Sequence, residues 1–345
     1  MAKNDNIRNM NTSGSSGTQS GSNGQASDRA ASRNEARAAR KAAKVRRESE
    51  QVSSVRRAKH GWILTVIFSV ISIIWISPLF IVLMNSFKRK AYIFKYPFSL
   101  SSKSLSDGWE AWKAGFDKMF VGWTNYINAI DDTDFFKSFG TSLTITVGSV
   151  LLIILCCSMC AWYITRVRTK GTKLIYLLCL FSMIVPFQMV MFTLSKIANI
   201  LKLNTPVAIC IIYLGFGAGL AVFMFSGFIQ SLPTDIEESA VIDGCSPPQT
   251  FFRVVMPIMK PTIITIAILD AMWIWNDFLL PYLVLNITKY KTIPIAVQYL
   301  KQSHGQVDWG AMMAVLILAI IPIVIFYIAA QKYIIEGVIA GAVKG

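Results

Sequence analysis

Two groups of carboxylates stand out in this chain as residues that could do chemistry. The first is Glu237, Glu238 and Asp243, in the stretch EESAVIDGCSPPQT at 237–250. The second is Asp270 and Asp277, which flank Trp273, Trp275 and Asn276 in DAMWIWND at 270–277. Paired carboxylates can serve as acid and base when a nucleophile or proton acceptor is held beside them. No such set accompanies either group, and His60 and His304 stand alone in sequence. Of the six cysteines (Cys156, Cys157, Cys160, Cys179, Cys210 and Cys245), five lie inside apolar runs. Cys157 and Cys160 form a CxxC with no His or acid nearby, so they read as small packing residues rather than metal ligands. For the second carboxylate group two readings are open. Indole faces beside hydrogen-bonding groups suit a sugar, and an acid inside a membrane usually faces an interior or a wet cavity. Alternatively, Asn276, Asp277 and Pro281 are helix-end and packing residues near an external interface.

Membrane helices must position these residues. The 345-residue chain is 54% hydrophobic and 15% charged, with a mean hydropathy of +0.49, which is too little polar residue to cover a soluble domain of this size. Its formal charge of +15 does not indicate nucleic acid, because the basic residues gather in the first 60 positions and beside apolar runs. Six runs reach the roughly 20 residues needed to cross a bilayer: 61–84, 141–163, 174–194, 206–229, 262–284 and 311–331. Pro78 and Pro186 fall inside the first and third. Arg46, Arg47, Arg56, Arg57 and Lys59 precede the first span, and Arg166, Arg168, Lys170 and Lys173 lie between the second and third. With six spans these segments and both termini share one side, expected to be cytoplasmic. Lys88, Arg89 and Lys90 then fall outside, against the trend. Residues 1–58 read as a basic tail, Ser/Gly/Asn/Gln-rich at 11–30 and too polar to fold alone. The external loop at 88–138 is either a small folded cap or an interfacial segment. GFGAGL at 215–220 offers small residues for close helix approach.

On this topology the first carboxylate group lies in a cytoplasmic loop, 231–261, between spans four and five. Thr234 and Glu237 make a T-x-x-E capping box, which predicts a helix from Asp235 to a glycine stop at Gly244. Ser246, Pro247 and Gln249 predict a second capped helix, running through FFRVVM and ending before Pro257. Ile236, Ala240, Phe251, Phe252, Val254 and Val255 are costly to leave in water, at roughly 25 cal/mol per Å² of apolar area. Either the chain's own spans or a partner must cover them.

This segment resembles the EAA loop of permease subunits in bacterial ATP-binding-cassette importers, whose pattern is E-A-A-x3-G-x9-I-x-L-P. Here it reads Glu238, Ser239, Ala240, Gly244, Val254, Met256 and Pro257 at that spacing, with conservative changes at 239, 254 and 256. PLFIVLMNSFK at 78–88, WNDFLLPYLVL at 275–285 and QKYIIEGVIAGAVKG at 331–345 are similar to the maltose-type carbohydrate permeases. The resemblance covers residues 60–345 and implies an all-α membrane protein with six transmembrane helices of the type I importer fold, in the bacterial cytoplasmic membrane. It implies that Glu237, Glu238, Ser239, Ala240, Asp243, Gly244 and Pro257 couple the chain to a separate ATPase, and that the tail at 332–345 touches the ATPase through Gly341, Lys344 and Gly345. The expected partners are a second permease subunit, a dimer of ATP-binding subunits and an extracytoplasmic sugar-binding protein. Asp270, Trp273, Asn276 and Asp277 are the candidates for the sugar path. No cofactor is expected on this chain: it has no G-x-x-x-x-G-K-[ST] loop, so ATP and magnesium belong to the partner. Two alternatives stay open, a permease for a non-sugar solute and an ion-coupled carrier. In the carrier, Asp270 and Asp277, two helical turns apart, would relay protons.

Overall fold

A computed structural model describes residues 61–300 and 308–342, with side chains over 62–300 and 308–333. The expectations for the tail at 1–58, His60, His304, Lys344 and Gly345 lie outside the described residues. The chain divides into two compact units between Trp75 and Ile76, inside its first described helix. That helix, α1, runs Gly61–Ser86 with Pro78 inside it. Both groups of carboxylates belong to the second unit, from Ile76 onward.

Helices follow one another almost without interruption, because a backbone in lipid must satisfy its polar groups within its own segment. After α1 come α2 (Lys90–Ile93), α3 (Trp109–Met119) and α4 (Thr124–Asp132), then α5 (Phe135–Arg166), α6 (Lys170–Ile184), α7 (Phe187–Ile200) and α8 (Ile209–Gln230). The polar loop holds α9 (Asp235–Ile242), α10 (Pro247–Thr250), a π turn (Phe251–Val255) and α11 (Met256–Ile258). The chain then continues through α12 (Lys260–Asn276), α13 (Leu279–Val284), α14 (Ile293–Leu300) and α15 (Trp309–Ala342). Among the described residues the sole β pairing is an isolated antiparallel bridge between Lys88 and Phe120.

The core lies where α5 packs along α8, with α6 and α12 against them. Ile145, Ile153, Tyr213, Phe225, Ile229 and Ile266 are among its fully buried members. The small residues of 215–220 allow this approach. A Cβ at Gly217 would fall 2.6 Å from Ile153, and one at Gly219 2.7 Å from the Cys179 carbonyl oxygen. All six cysteines are free thiols, and Cys157 and Cys210 are buried in the packing.

Two expected spans are broken rather than straight. Among the described residues four helices, beginning at Trp62, Phe135, Ile209 and Trp309, are long and apolar enough to cross a membrane, and the number is six if each of two bent pairs forms one span. In place of one run at 174–194, α6 and α7 meet at 107° across Val185 and Pro186. Proline has no N–H to donate and clashes with the preceding turn, so the helix stops before it. The run at 262–284 is split at Asp277 and Phe278 into α12 and α13. At the other end of α12, the pair Pro247–Ile258 and Lys260–Asn276 is bent by 76°.

The loop at 88–138 is a folded cap. Ile93, Met119, Tyr126 and Ala129 are buried in it. The Arg89 and Val121 amides donate to the Met119 and Phe87 carbonyls at 2.8 Å. Phe87 sits among Phe120, Trp123 and Tyr126, with ring centroids 5.2–5.9 Å apart.

Candidate functional site

Helix α9 begins at Asp235, with Asp235, Glu237 and Glu238 in its first turn, where negative charge complements the exposed amides. Its far end is a Schellman motif: the Gly244 amide donates to Val241 O at 3.0 Å and the Cys245 amide to Ala240 O at 2.9 Å. Gly244 makes that turn at φ +83°, a backbone conformation that costs an L-residue about 1–2 kcal/mol. A Cβ there would point into open space, so the glycine answers to backbone geometry and leaves room beside it.

The T-x-x-E capping box does not form. Thr234 is itself in helical conformation and makes no side-chain cap. Glu237 instead turns to α5. Its Oε1 accepts from Arg166 Nη2 at 2.6 Å and Nε at 2.9 Å, and its Oε2 accepts from Trp162 Nε1 at 3.0 Å. Arg166 Nη2 also donates to the Leu232 carbonyl at 3.3 Å. A two-pronged guanidinium–carboxylate contact is far stronger than a bond to a neutral amide, which is why the carboxylate abandons the cap. Neither Arg166 nor Trp162 has any spacing in sequence that marks it for this role; the one signal is a cation at the end of a span.

The second box is present in its return half: the Gln249 carboxamide oxygen accepts from the Ser246 amide at 2.8 Å and from its hydroxyl at 3.0 Å. The expected stop before Pro257 is not observed. Pro257 lies inside α11, and the chain absorbs it with the π turn before it, in which the Met256 amide bonds Phe251 O. Widening a helix by one residue relieves the clash a proline makes with the preceding turn. The break falls at Met259 and Lys260, where α12 departs.

The apolar residues of this segment divide between two fates. Ala240, Phe251 and Val255 are buried, with Phe251 against Trp162 at 5.4 Å between centroids. Ile236, Val241, Ile242 and Phe252 are exposed, Ile242 to 85%. Glu238, Ser239, Asp243, Gly244 and Pro257 share that exposure. The Ser239 hydroxyl bonds back to Asp235 O at 2.7 Å.

The second group of candidates is dispersed. Asp270 is buried on α12, with its Oδ2 unpaired among the described residues. Asp277 lies past the end of that helix in extended backbone, so the two acids do not share a helix face as a relay requires. Its Oδ2 accepts from the Tyr213 hydroxyl at 3.0 Å, and its Oδ1 accepts from the Leu279 amide at 2.9 Å, tying down the start of α13. Pro281 is buried in α13. Trp273 stacks edge-on against Tyr213 at 5.6 Å, and Asn276 is exposed. Asn276 does line a cavity of about 270 Å³ with Trp275, Phe278, Pro294 and Gln298. Gln298 was invisible to sequence reasoning because it lies 22 residues away on α14. At the chain's end, Gly341 is in the last turn of α15, so the expected tail at 332–345 is helical through Ala342.

Residues 153–339 match the family described as binding-protein-dependent transport system inner membrane component. The chain is 38% identical to the probable starch degradation products transport system permease protein AmyC of Thermoanaerobacterium thermosulfurigenes, over 82% of this chain and 97% of that protein. It is 30% identical to the arabinooligosaccharides transport system permease protein AraQ of Halalkalibacterium halodurans, over 83% and 97%. The diacetylchitobiose uptake system permease protein NgcG of Streptomyces coelicolor is also 30% identical, over 79% and 85%. Among solved structures, a chain of a bacterial importer of the acidic polysaccharide alginate superposes with a TM-score of 0.63 at 20% identity, covering 81% of this chain and 98% of that one. This last likeness speaks to the fold.

Proposed function

This chain belongs to the binding-protein-dependent transport system inner membrane components, and from that membership we propose that it is the membrane permease subunit of an ATP-driven sugar importer. It forms half of the translocation path and carries no ATPase site of its own. The observation that carries this reading is the segment from Asp235 to Ile258. Its inner face is packed on α5 and its outer face leaves Ile236, Val241, Ile242 and Phe252 in solvent. An exposed apolar face rimmed by acids is a surface for a protein partner, and the partner here is the ATPase dimer with its ATP and magnesium. ATP-driven closure of that dimer would move α9 as a lever. The Glu237–Arg166 clamp would pass the motion to α5 and so switch the spans between two states.

The named relatives support an oligosaccharide as the solute. The cavity of Trp275, Asn276 and Gln298 has the aromatic faces and carboxamides that bind sugars. Asp277 acts as a helix-holding residue and Trp273 as its packing neighbour, with Asp270 the one acid of the pair free to face the path. A second permease subunit completes the channel, an extracytoplasmic sugar-binding protein delivers the solute, and both termini face the cytoplasm together with Gly341, Lys344 and Gly345. Gly244→Trp tests the coupling role. Uptake of radiolabelled oligosaccharide into cells should be abolished while the variant inserts and accumulates as the wild type does. Normal uptake by a stably inserted variant would reject the docking role of this loop.

A further inference from the structure

A cavity of about 530 Å³ opens where α5 ends and α6 begins, at the same end of the bundle as α9 but not part of it. Its chemistry is one-sided. Arg168, Lys170 and Lys173 line it, with Tyr176 beside them, and no carboxylate does. The ion pair of Arg166 with Glu237 absorbs the neighbouring cation, whereas these three make no ion pair among the described residues. Thr165 on α5 and Ser226 on α8 are among the hydroxyl-bearing residues that line the same cavity. Both residues are buried, 6% and 1% exposed, and neither hydroxyl has a hydrogen-bond partner among the described residues.

Both features are answered by the same ligand. Three exposed cations without a counter-charge attract an anion, and a buried hydroxyl without a partner forfeits about 1–3 kcal/mol. A compact oxyanion supplies the negative charge and several acceptor oxygens at once. In the loop between the helices, the Thr169 and Thr172 side chains cap each other's amides at 3.0 and 3.2 Å, so those two amides are already satisfied. The site is therefore side-chain built. Its place at the end of two spans is the depth at which phospholipid headgroups lie, and basic pockets between membrane helices hold anionic headgroups.

We propose that this cavity is a phosphate-binding site, formed by Arg168, Lys170 and Lys173 with the hydroxyls of Thr165 and Ser226. The phosphate comes either from an anionic phospholipid or from solution. The assignment requires only an interfacial position and is independent of the solute carried and of the ATPase contact. Arg168 follows Arg166 with one residue between them, so an occupied site would stiffen the segment that holds the Glu237 clamp.

The test is a titration of the full chain in maltoside micelles, with phosphatidylglycerol in one arm and inorganic phosphate in the other, reading saturable binding and the unfolding midpoint. Saturation by phosphatidylglycerol alone assigns a lipid site; equal saturation by inorganic phosphate assigns a free anion; either supports the pocket. Arg168→Gln/Lys170→Gln/Lys173→Gln should weaken binding by at least roughly tenfold, the equivalent of one lost charged hydrogen bond. Thr165→Val/Ser226→Ala changes no charge and removes only unpaired groups, so it should fold normally and still weaken binding several-fold. Retention of full affinity by that hydroxyl variant, while the charge variant loses it, would reduce the effect to diffuse surface attraction and overturn the site. Absence of saturable binding in both arms would overturn it equally.

Discussion

Where α5 ends, one carboxylate makes the ion pair between the polar loop and the bundle, beside the buried Phe251 and Val255, and four large apolar side chains stand in solvent. Where α1 ends, at the opposite end of α5, the cap is joined by many hydrogen bonds, and the polar groups at its joint are paired. Asn125 Nδ2 donates to the Ser86 and Lys88 carbonyls at 2.7 and 2.9 Å, and the Ser86 hydroxyl meets the Tyr126 hydroxyl at 2.8 Å. Asn85 Nδ2 reaches the Pro97 carbonyl at 2.9 Å, and Lys88 Nζ donates to Asn85 Oδ1 and Tyr96 O, both at 2.8 Å. Distributed bonds hold a part in one position, because loosening any one leaves the others to restore it. A joint centred on one ion pair, with Phe251 packed on Trp162 beside it, has fewer polar restraints and can pivot. The cap's arrangement suits a scaffold and the loop's a lever.

Breaking the lever's joint should have the largest effect. Glu237→Ala leaves the Arg166 guanidinium without its carboxylate and the Trp162 indole without its acceptor. Removing one partner of a fully buried pair costs about 3–5 kcal/mol. These side chains are 14% and 18% exposed, so about 2–3 kcal/mol is expected, after discounting for solvent. Uptake should fall at least roughly tenfold, an effect worth about 1.4 kcal/mol or more. Amide exchange should accelerate over 235–258 and stay unchanged over 88–132. Acceleration at both ends together would mean the two regions are one cooperative unit and would dissolve the contrast.

A smaller loss is expected from overfilling the scaffold. Gly310, at the start of α15, lies so close to Asn125 that a Cβ would fall 2.5 Å from its Oδ1. Gly310→Ala must push away a side chain already committed to two carbonyls, and such overpacking costs about 1–3 kcal/mol. The unfolding midpoint of the purified protein should drop, while uptake by the fraction that remains folded should stay normal. Combining it with Asn125→Ala should cost less than the sum of the single changes, since the residues touch. Strict additivity would show that α15 and the cap do not bear on one another.

These two sites also divide what could be read in advance from what could not. The glycine stop of α9 and the start at Ser246 are local, set by residues adjacent in sequence, and both are where the sequence places them. So is the order of apolar runs, because length and composition alone decide whether a helix can cross lipid. The Arg166–Glu237 joint spans 71 residues, and the Asn125–Gly310 contact joins the cap to the last helix. No periodicity encodes either, and a local rule (the T-x-x-E box) pointed Glu237 to the wrong partner. The 107° bend at Pro186 was visible as a proline but not as an angle, since its size depends on what packs on each side. Gln298 failed for the same reason as Arg166, being brought to its site by tertiary structure alone.

The smallest expected effect concerns pH and would sharpen the contrast from the scaffold side. Lys88 lies just beyond α1, buried, and desolvation pushes its ammonium down to about 8 from the ordinary lysine value. Between about 8 and the unperturbed value near 10.4, the unfolded chain keeps this proton while the folded cap releases it. The stability of the cap should therefore rise with pH across that window and be lower, and flat, below it. Lys88→Gln keeps a donor for Asn85 Oδ1 and Tyr96 O without a charge to desolvate, so it should erase the slope and raise the midpoint near neutral pH. Survival of the slope in Lys88→Gln would assign the titration to another group and remove Lys88 from the account of the cap.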